Sequence, residues 1–171
     1  MIPMGPLSTN GYFYTVRERT LLIDPGGTRE EMVAILERHG VTPDAVLLTH
    51  GHFDHLMGLA AVREKLPHIP IYLHKADHRL YKEAQKQAAI FGFRIDEMPT
   101  DVHLLGDEES VEGMTILRTP GHSPGSLSFY DASTGTLFSG DTLFQYGVGR
   151  TDLWGGSWEQ LLDSIRKTLF T

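Results

Sequence analysis

The 171-residue chain contains no cysteine. Disulfides and thiolate ligands are therefore excluded, and any metal has to be held by nitrogen and oxygen donors. No uninterrupted apolar stretch approaches a membrane-spanning length. The opening residues, Met1-Ile2-Pro3-Met4-Gly5-Pro6, lack a basic region followed by an apolar core, so they do not read as an export signal. The expectation is a cytoplasmic protein with no membrane partner. Basic tracks are missing as well. Net charge is −7 with histidine neutral and no Lys/Arg run is present, which argues against a nucleic-acid partner. There are no internal repeats, low-complexity segments or linkers, so residues 1–171 read as a single domain large enough to bury a core.

Histidine is present in unusual concentration. An apolar, β-competent run at 45–48 leads into Thr49, His50, Gly51, His52, Phe53, Asp54 and His55, and Leu56 opens a helical pattern. Three imidazoles and a carboxylate at a strand-to-helix junction supply the borderline ligands that zinc or iron takes. A surface gains little from such a cluster, because protonated imidazoles repel one another. The position also fits, since sites of α/β proteins collect beyond the carboxyl ends of strands.

Around this stretch the pattern alternates between strands and helices. Segments 12–17 and 20–23 form an expected hairpin. After the breaker Asp24-Pro25-Gly26-Gly27, Thr28 and Glu31 have capping-box spacing for a helix over 29–39 that Gly40 ends. Further helices are expected over 56–66 and 76–89, and from the cap Ser157 through 169. Strands are expected over 69–73, 111–117, 126–130 and 136–139, with an irregular excursion over 91–109. Interleaved helices with hairpins at both ends imply helices packed on sheets of mixed strand direction.

Two more strand ends carry candidate ligands. His122 projects from a loop rich in Gly and Pro at 119–126, and Asp141 follows a strand and Gly140. Each alone is an ordinary loop residue; with the first cluster they form one ligand set. His74 also stands at a strand end, where a structural role is the simpler reading.

The T-H-x-H-x-D-H element at 49–55, followed in order by T-P-G-H-S-P-G-S and S-G-D-T-L-F, resembles the metallo-β-lactamase superfamily, and most nearly its small glyoxalase II-like hydrolases. The resemblance implies an αββα sandwich: two mixed sheets flanked by helices, with a two-metal site at one edge. It implies zinc, two ions per chain, with His50, His52 and His122 holding the first, Asp54 and His55 the second, and Asp141 bridging. It further implies hydrolysis of a small anionic acyl thioester by metal-activated water, with Asp54 and Asp141 as catalytic groups. Arg150 stands where glyoxalase II enzymes meet the glutathione carboxylate; an ion pair with Asp152 is the competing reading. A further family histidine, in a loop after the last helix, has no counterpart here. The chain is thus expected to be truncated at its C-terminus, short of a last strand and helix, and open to homodimer formation through the bare edge. Persulfide dioxygenases resemble it too, and would use His50, His122 and Asp141 as a triad for one iron. A nuclease, a β-lactamase and an inert metal-binding fragment are the remaining readings.

Overall fold

The structure, a computed structural model, describes residues 1–170. Its first sheet has six strands in sequence order. These are β1 (Ile2–Met4), β2 (Thr9–Val16), β3 (Arg19–Ile23), β4 (Ala45–Leu47), β5 (Ile71–His74) and β6 (His103–Leu105). The first two pairings are antiparallel and the next three parallel, so the sheet is mixed as expected. Helices α1 (Arg29–His39) and α2 (Leu59–Lys65) make the crossovers on either side of β4. The second sheet runs β7 (Ser110–Val111), β8 (Met114–Arg118), β9 (Leu127–Asp131) and β10 (Thr136–Phe138), with every described pairing antiparallel. Hairpin connections rather than helical crossovers join these strands, which is why their direction alternates.

The side-chain alternation of the central strands builds two cores. Leu21, Ile23, Ala45 and Leu47 face Met114, Leu127, Phe129 and Phe138 of the second sheet. Leu22, Val46, Leu48, Ile71 and Leu73 face the helices, against Met32, Leu59, Val62, Ala84 and Ala88. Strands buried on both faces read as continuous apolar runs, and each such side chain contributes about 1.5–3 kcal/mol by leaving water. Helices flank the paired sheets, and no described helix is long and apolar enough to cross a membrane.

Several boundaries move. Helix α1 and its capping box stand where expected, with Thr28 and Glu31 exchanging side-chain-to-backbone bonds and Gly40 left-handed. The helix expected from Leu56 begins only at Leu59, because Phe53–His55 form a separate 3-10 turn. The 76–89 segment divides into a turn at Lys75–Asp77, α3 (His78–Lys82) and α4 (Ala84–Ile90). The excursion over 91–109 contains β6, an edge strand with one buried residue and hence no alternating pattern. The 111–117 strand is a two-strand hairpin, turned at Glu112 and Gly113. A small hairpin, β11 (Leu143–Phe144) and β12 (Gly147–Val148), follows Asp141. The last helix is α5 (Trp158–Ser164), continued by a π-helical turn at Ile165–Leu169.

Candidate metal centre

The fold brings every expected metal ligand to one end of the sheets. Strand β4 delivers His50 and His52, the 3-10 turn adds Asp54 and His55, the loop after β8 adds His122, and the loop after β10 adds Asp141. The two sheets are tied at this end by Leu127 N donating to the Thr49 carbonyl at 2.8 Å.

Two donor groups result. His50, His52 and His122 are all buried, with His50 Nε2 3.2 Å and His52 Nδ1 2.8 Å from His122 Nε2. His55 Nε2 lies 3.2 Å from Asp141 Oδ1 and 3.6 Å from Asp54 Oδ2. Asp141 also reaches the first group, its Oδ2 standing 3.6 Å from His122 Nε2. His50 is near enough to Asp141 and His55 to share a second donor triplet with them.

The surrounding bonds set the tautomers. His122 Nδ1 donates to the Arg150 carbonyl at 2.7 Å, so in the neutral ring Nε2 is the bare acceptor. Thr49 Oγ1 donates to Asp24 at 2.6 Å and therefore accepts from His50 Nδ1 at 3.0 Å, which bares His50 Nε2 as well. Two unprotonated nitrogens facing each other at 3.2 Å repel unless a cation lies between them, so the residues present fit a metal ion. Burial, reinforced by the neighbouring imidazoles, holds the pKa of His50 well below its ordinary value and that of His52 at about 3. Both are therefore neutral and competent as ligands.

His55 behaves in the opposite way. Burial disfavours its charge, but Asp24, Asp141 and Asp54 outweigh that and raise its pKa well above the usual histidine range. Burial likewise works against charge on Asp141, yet His55, His122 and His52 draw its carboxyl below the ordinary value. Without metal, His55 and Asp141 are a charged pair; a cation would replace the His55 proton.

Asp24 was legible in the sequence only as part of a chain breaker. It is buried at the end of β3, in the left-handed region at φ 49°, and accepts from Thr49 N (2.8 Å), Thr49 Oγ1 and His55 Nδ1 (2.9 Å). It fixes the ligand turn from behind, as outer partners of metal-bound histidine do. Thr9 Oγ1 similarly donates to Asp54 Oδ2 at 3.0 Å. Asp77 lies in a helix-like run of the sequence, where nothing in the local pattern marks it.

A cavity of about 670 Å³ opens beside the second donor group. Asp54, His55 and Asp141 line it with Tyr12, Phe144 and Tyr146, the last two from the small hairpin. Arg150 is not part of that wall. Its exposed guanidinium makes a two-pronged bond to Asp152 (2.7 and 2.6 Å), and its carbonyl rather than its charge is what orients His122.

Comparison with known proteins places the chain in a family. The family model for the Metallo-beta-lactamase superfamily matches residues 4–170. The chain belongs to that superfamily. Among metallo-β-lactamase superfamily relatives, the probable metallo-hydrolase YqgX of Bacillus subtilis (strain 168) is 42% identical over 99% of this chain and 82% of its own. Hydroxyacylglutathione hydrolase GloC of Haemophilus influenzae (strain ATCC 51907 / DSM 11121 / KW20 / Rd) is 35% identical over 99% of this chain and 82% of its own. Two solved structures share the fold. TTHA1623 in a di-iron-bound form superposes with a TM-score of 0.92 at 40% identity, covering 97% of this chain and 83% of that one. BLEG-1 B3 metallo-beta-lactamase gives 0.86 at 41%, covering 96% and 82%.

Proposed function

We propose that this protein is a metal-dependent hydrolase of small acyl thioesters that works with two metal ions, zinc in the first instance. The observation that carries the reading is the position of Asp141. One carboxylate reaches His55 on one side and His122 on the other, at the wall of a cavity large enough for a small substrate. The likeness to a hydroxyacylglutathione hydrolase supports the thioester as substrate.

His50, His52 and His122 would hold one ion, Asp54 and His55 the other, and Asp141 would join them. Bound there, the ions would polarise a carbonyl and lower the pKa of water towards neutrality. The chain's own groups supply the rest. Asp54, held by Thr9 at Oδ2 and lining the cavity, is placed to orient a water and to take its proton on the carboxylate. Asp24 keeps the His55 Nδ1 proton engaged, so that Nε2 stays directed at Asp141. A thiolate leaves with little need for protonation, so one cavity-facing carboxylate suffices for proton handling. An anionic substrate would meet Arg150 only if Asp152 releases it.

Iron is the second reading. His122 Nε2 lies 3.2 Å from His50 Nε2 and 3.6 Å from Asp141 Oδ2, so these three could supply the two-histidine, one-carboxylate set of a one-iron site, and a relative at 40% identity is described in a di-iron-bound form. The deciding experiment loads metal-stripped protein with zinc or iron and measures three reactions. These are thiol release from S-lactoylglutathione and simpler acyl thioesters, opening of a chromogenic cephalosporin, and oxygen uptake with a persulfide. Zinc-dependent thiol release that Asp54→Ala abolishes is expected. Protein carrying two zinc ions that cleaves no acyl thioester would overturn the proposal, and iron-dependent oxygen uptake would replace it with the oxygenase.

A further inference from the structure

Asp77 belongs to neither donor group, yet it is completely buried, 0% exposed, at the site end of β5. Its carboxylate is fully engaged. Oδ2 accepts from Gly51 N at 2.9 Å and Ser123 Oγ at 2.6 Å, and Oδ1 accepts from Gly125 N at 2.6 Å. Gly51 lies between the ligands His50 and His52, and Ser123 directly follows the ligand His122. One side chain therefore joins two ligand loops that come from different sheets and are about seventy residues apart in sequence, the separation of His52 and His122.

The closeness of the approach is built in on both sides. A Cβ on Gly51 would fall 2.9 Å from the Asp77 carbonyl oxygen, and one on Gly125 only 2.7 Å from Asp77 Cγ. Any side chain at either position would push the loops off the carboxylate. Asp77 itself is anchored: the preceding His74 Nδ1 accepts from Ala76 N, closing the turn that presents it. None of its hydrogen bonds runs to Asp54, His55 or Asp141. Asp24 serves that side of the centre, from the end of β3.

We propose that Asp77 is a positioning residue for the three-histidine donor group, setting its spacing by clamping the His50–His52 turn to the His122 loop. An amide cannot take its place. Three donors converge on the two oxygens, and an Asn would turn its own N–H groups against at least one of them. This inference rests on the metal-centre reading and not on the choice of substrate.

The test is a cobalt(II) titration of metal-stripped wild type and Asp77→Asn, followed by visible absorption, with His55→Ala as the reference whose remaining intact group is the three histidines. In Asp77→Asn the affinity of the three-histidine site should fall about 10- to 100-fold and its cobalt spectrum should change. The site formed by Asp54, His55 and Asp141 should bind as in wild type. Ser123→Ala, which removes one of the three bonds, should show a smaller loss at the same site and carries the test if Asp77→Asn does not fold. Unchanged affinity at the three-histidine site overturns the proposal. So does equal weakening of both sites, which would mean that Asp77 supports the fold generally. Wild type that takes up no cobalt would overturn the metal centre itself, and with it this inference.

Discussion

Replacing Asp24 by Asn probes how much of the second metal position is held from behind. The side chain is 1% exposed, so water cannot substitute for what it loses. Its oxygens take Thr49 N on one side, and Thr49 Oγ1 and His55 Nδ1 on the other. An amide placed with its oxygen towards His55 turns its N–H groups on the Thr49 N–H. Placed the other way, it faces His55 Nδ1 with a donor and drives the imidazole proton to Nε2, the nitrogen that must be bare. Either orientation loses a hydrogen bond to a charged group, about 1.5–3 kcal/mol. At about 1.4 kcal/mol per tenfold, that is roughly 10- to 100-fold in metal affinity. The substitution also removes the strongest support of His55 charge, so the His55 pKa should fall. Calorimetric zinc binding in buffers of different ionisation enthalpy reads both quantities at once. Wild type at neutral pH should release about one proton on filling the second site, and Asp24→Asn clearly less. Unchanged affinity together with an unchanged proton count would refute the assigned role of Asp24.

The metal-free protein should be most stable near pH 6.5. Below that, unfolded His50 and His52 take up protons that the folded forms refuse, so stability falls as pH drops, by up to about 1.4 kcal/mol per pH unit for each and, for His52, down to about 3. Above it, His55, whose folded pKa is raised, loses its stabilising proton, so stability also declines as pH rises through that value. Urea unfolding of chelator-treated protein from pH 4 to 9 checks this, and rising stability from pH 6.5 to 5 would contradict it. Arg150→Ala should leave kcat for a neutral acyl thioester within about twofold, because the guanidinium is exposed and spent on Asp152; steady-state kinetics with neutral and anionic substrates would show whether only the latter lose affinity. Thr28→Ala should cost about 1 kcal/mol by opening the α1 capping box, read as a lower urea midpoint with the metal content unchanged.

The sequence alone determined the parts whose cause is local. The 49–55 donor run, His122 and Asp141 are each marked by their own neighbours, and α1 by its cap, apolar face and glycine stop, so the candidate donors and the elements leading into them were legible. What stayed hidden depends on partners distant in the chain. Strand β6 exists because β5 offers it an edge, and Asp77 matters because two loops from another part of the chain donate to it. Asp24 reads locally as a turn residue and becomes a support only when His55, 31 residues on, folds back over it. Arg150 shows the reverse. Its charge drew attention in the sequence, but an adjacent carboxylate takes that charge, and the tertiary fold uses its backbone carbonyl to aim His122. Which residues can serve as donors is a property of residue type and spacing. How those donors are oriented comes from hydrogen bonds between chain-distant groups, and only the packed structure decides those.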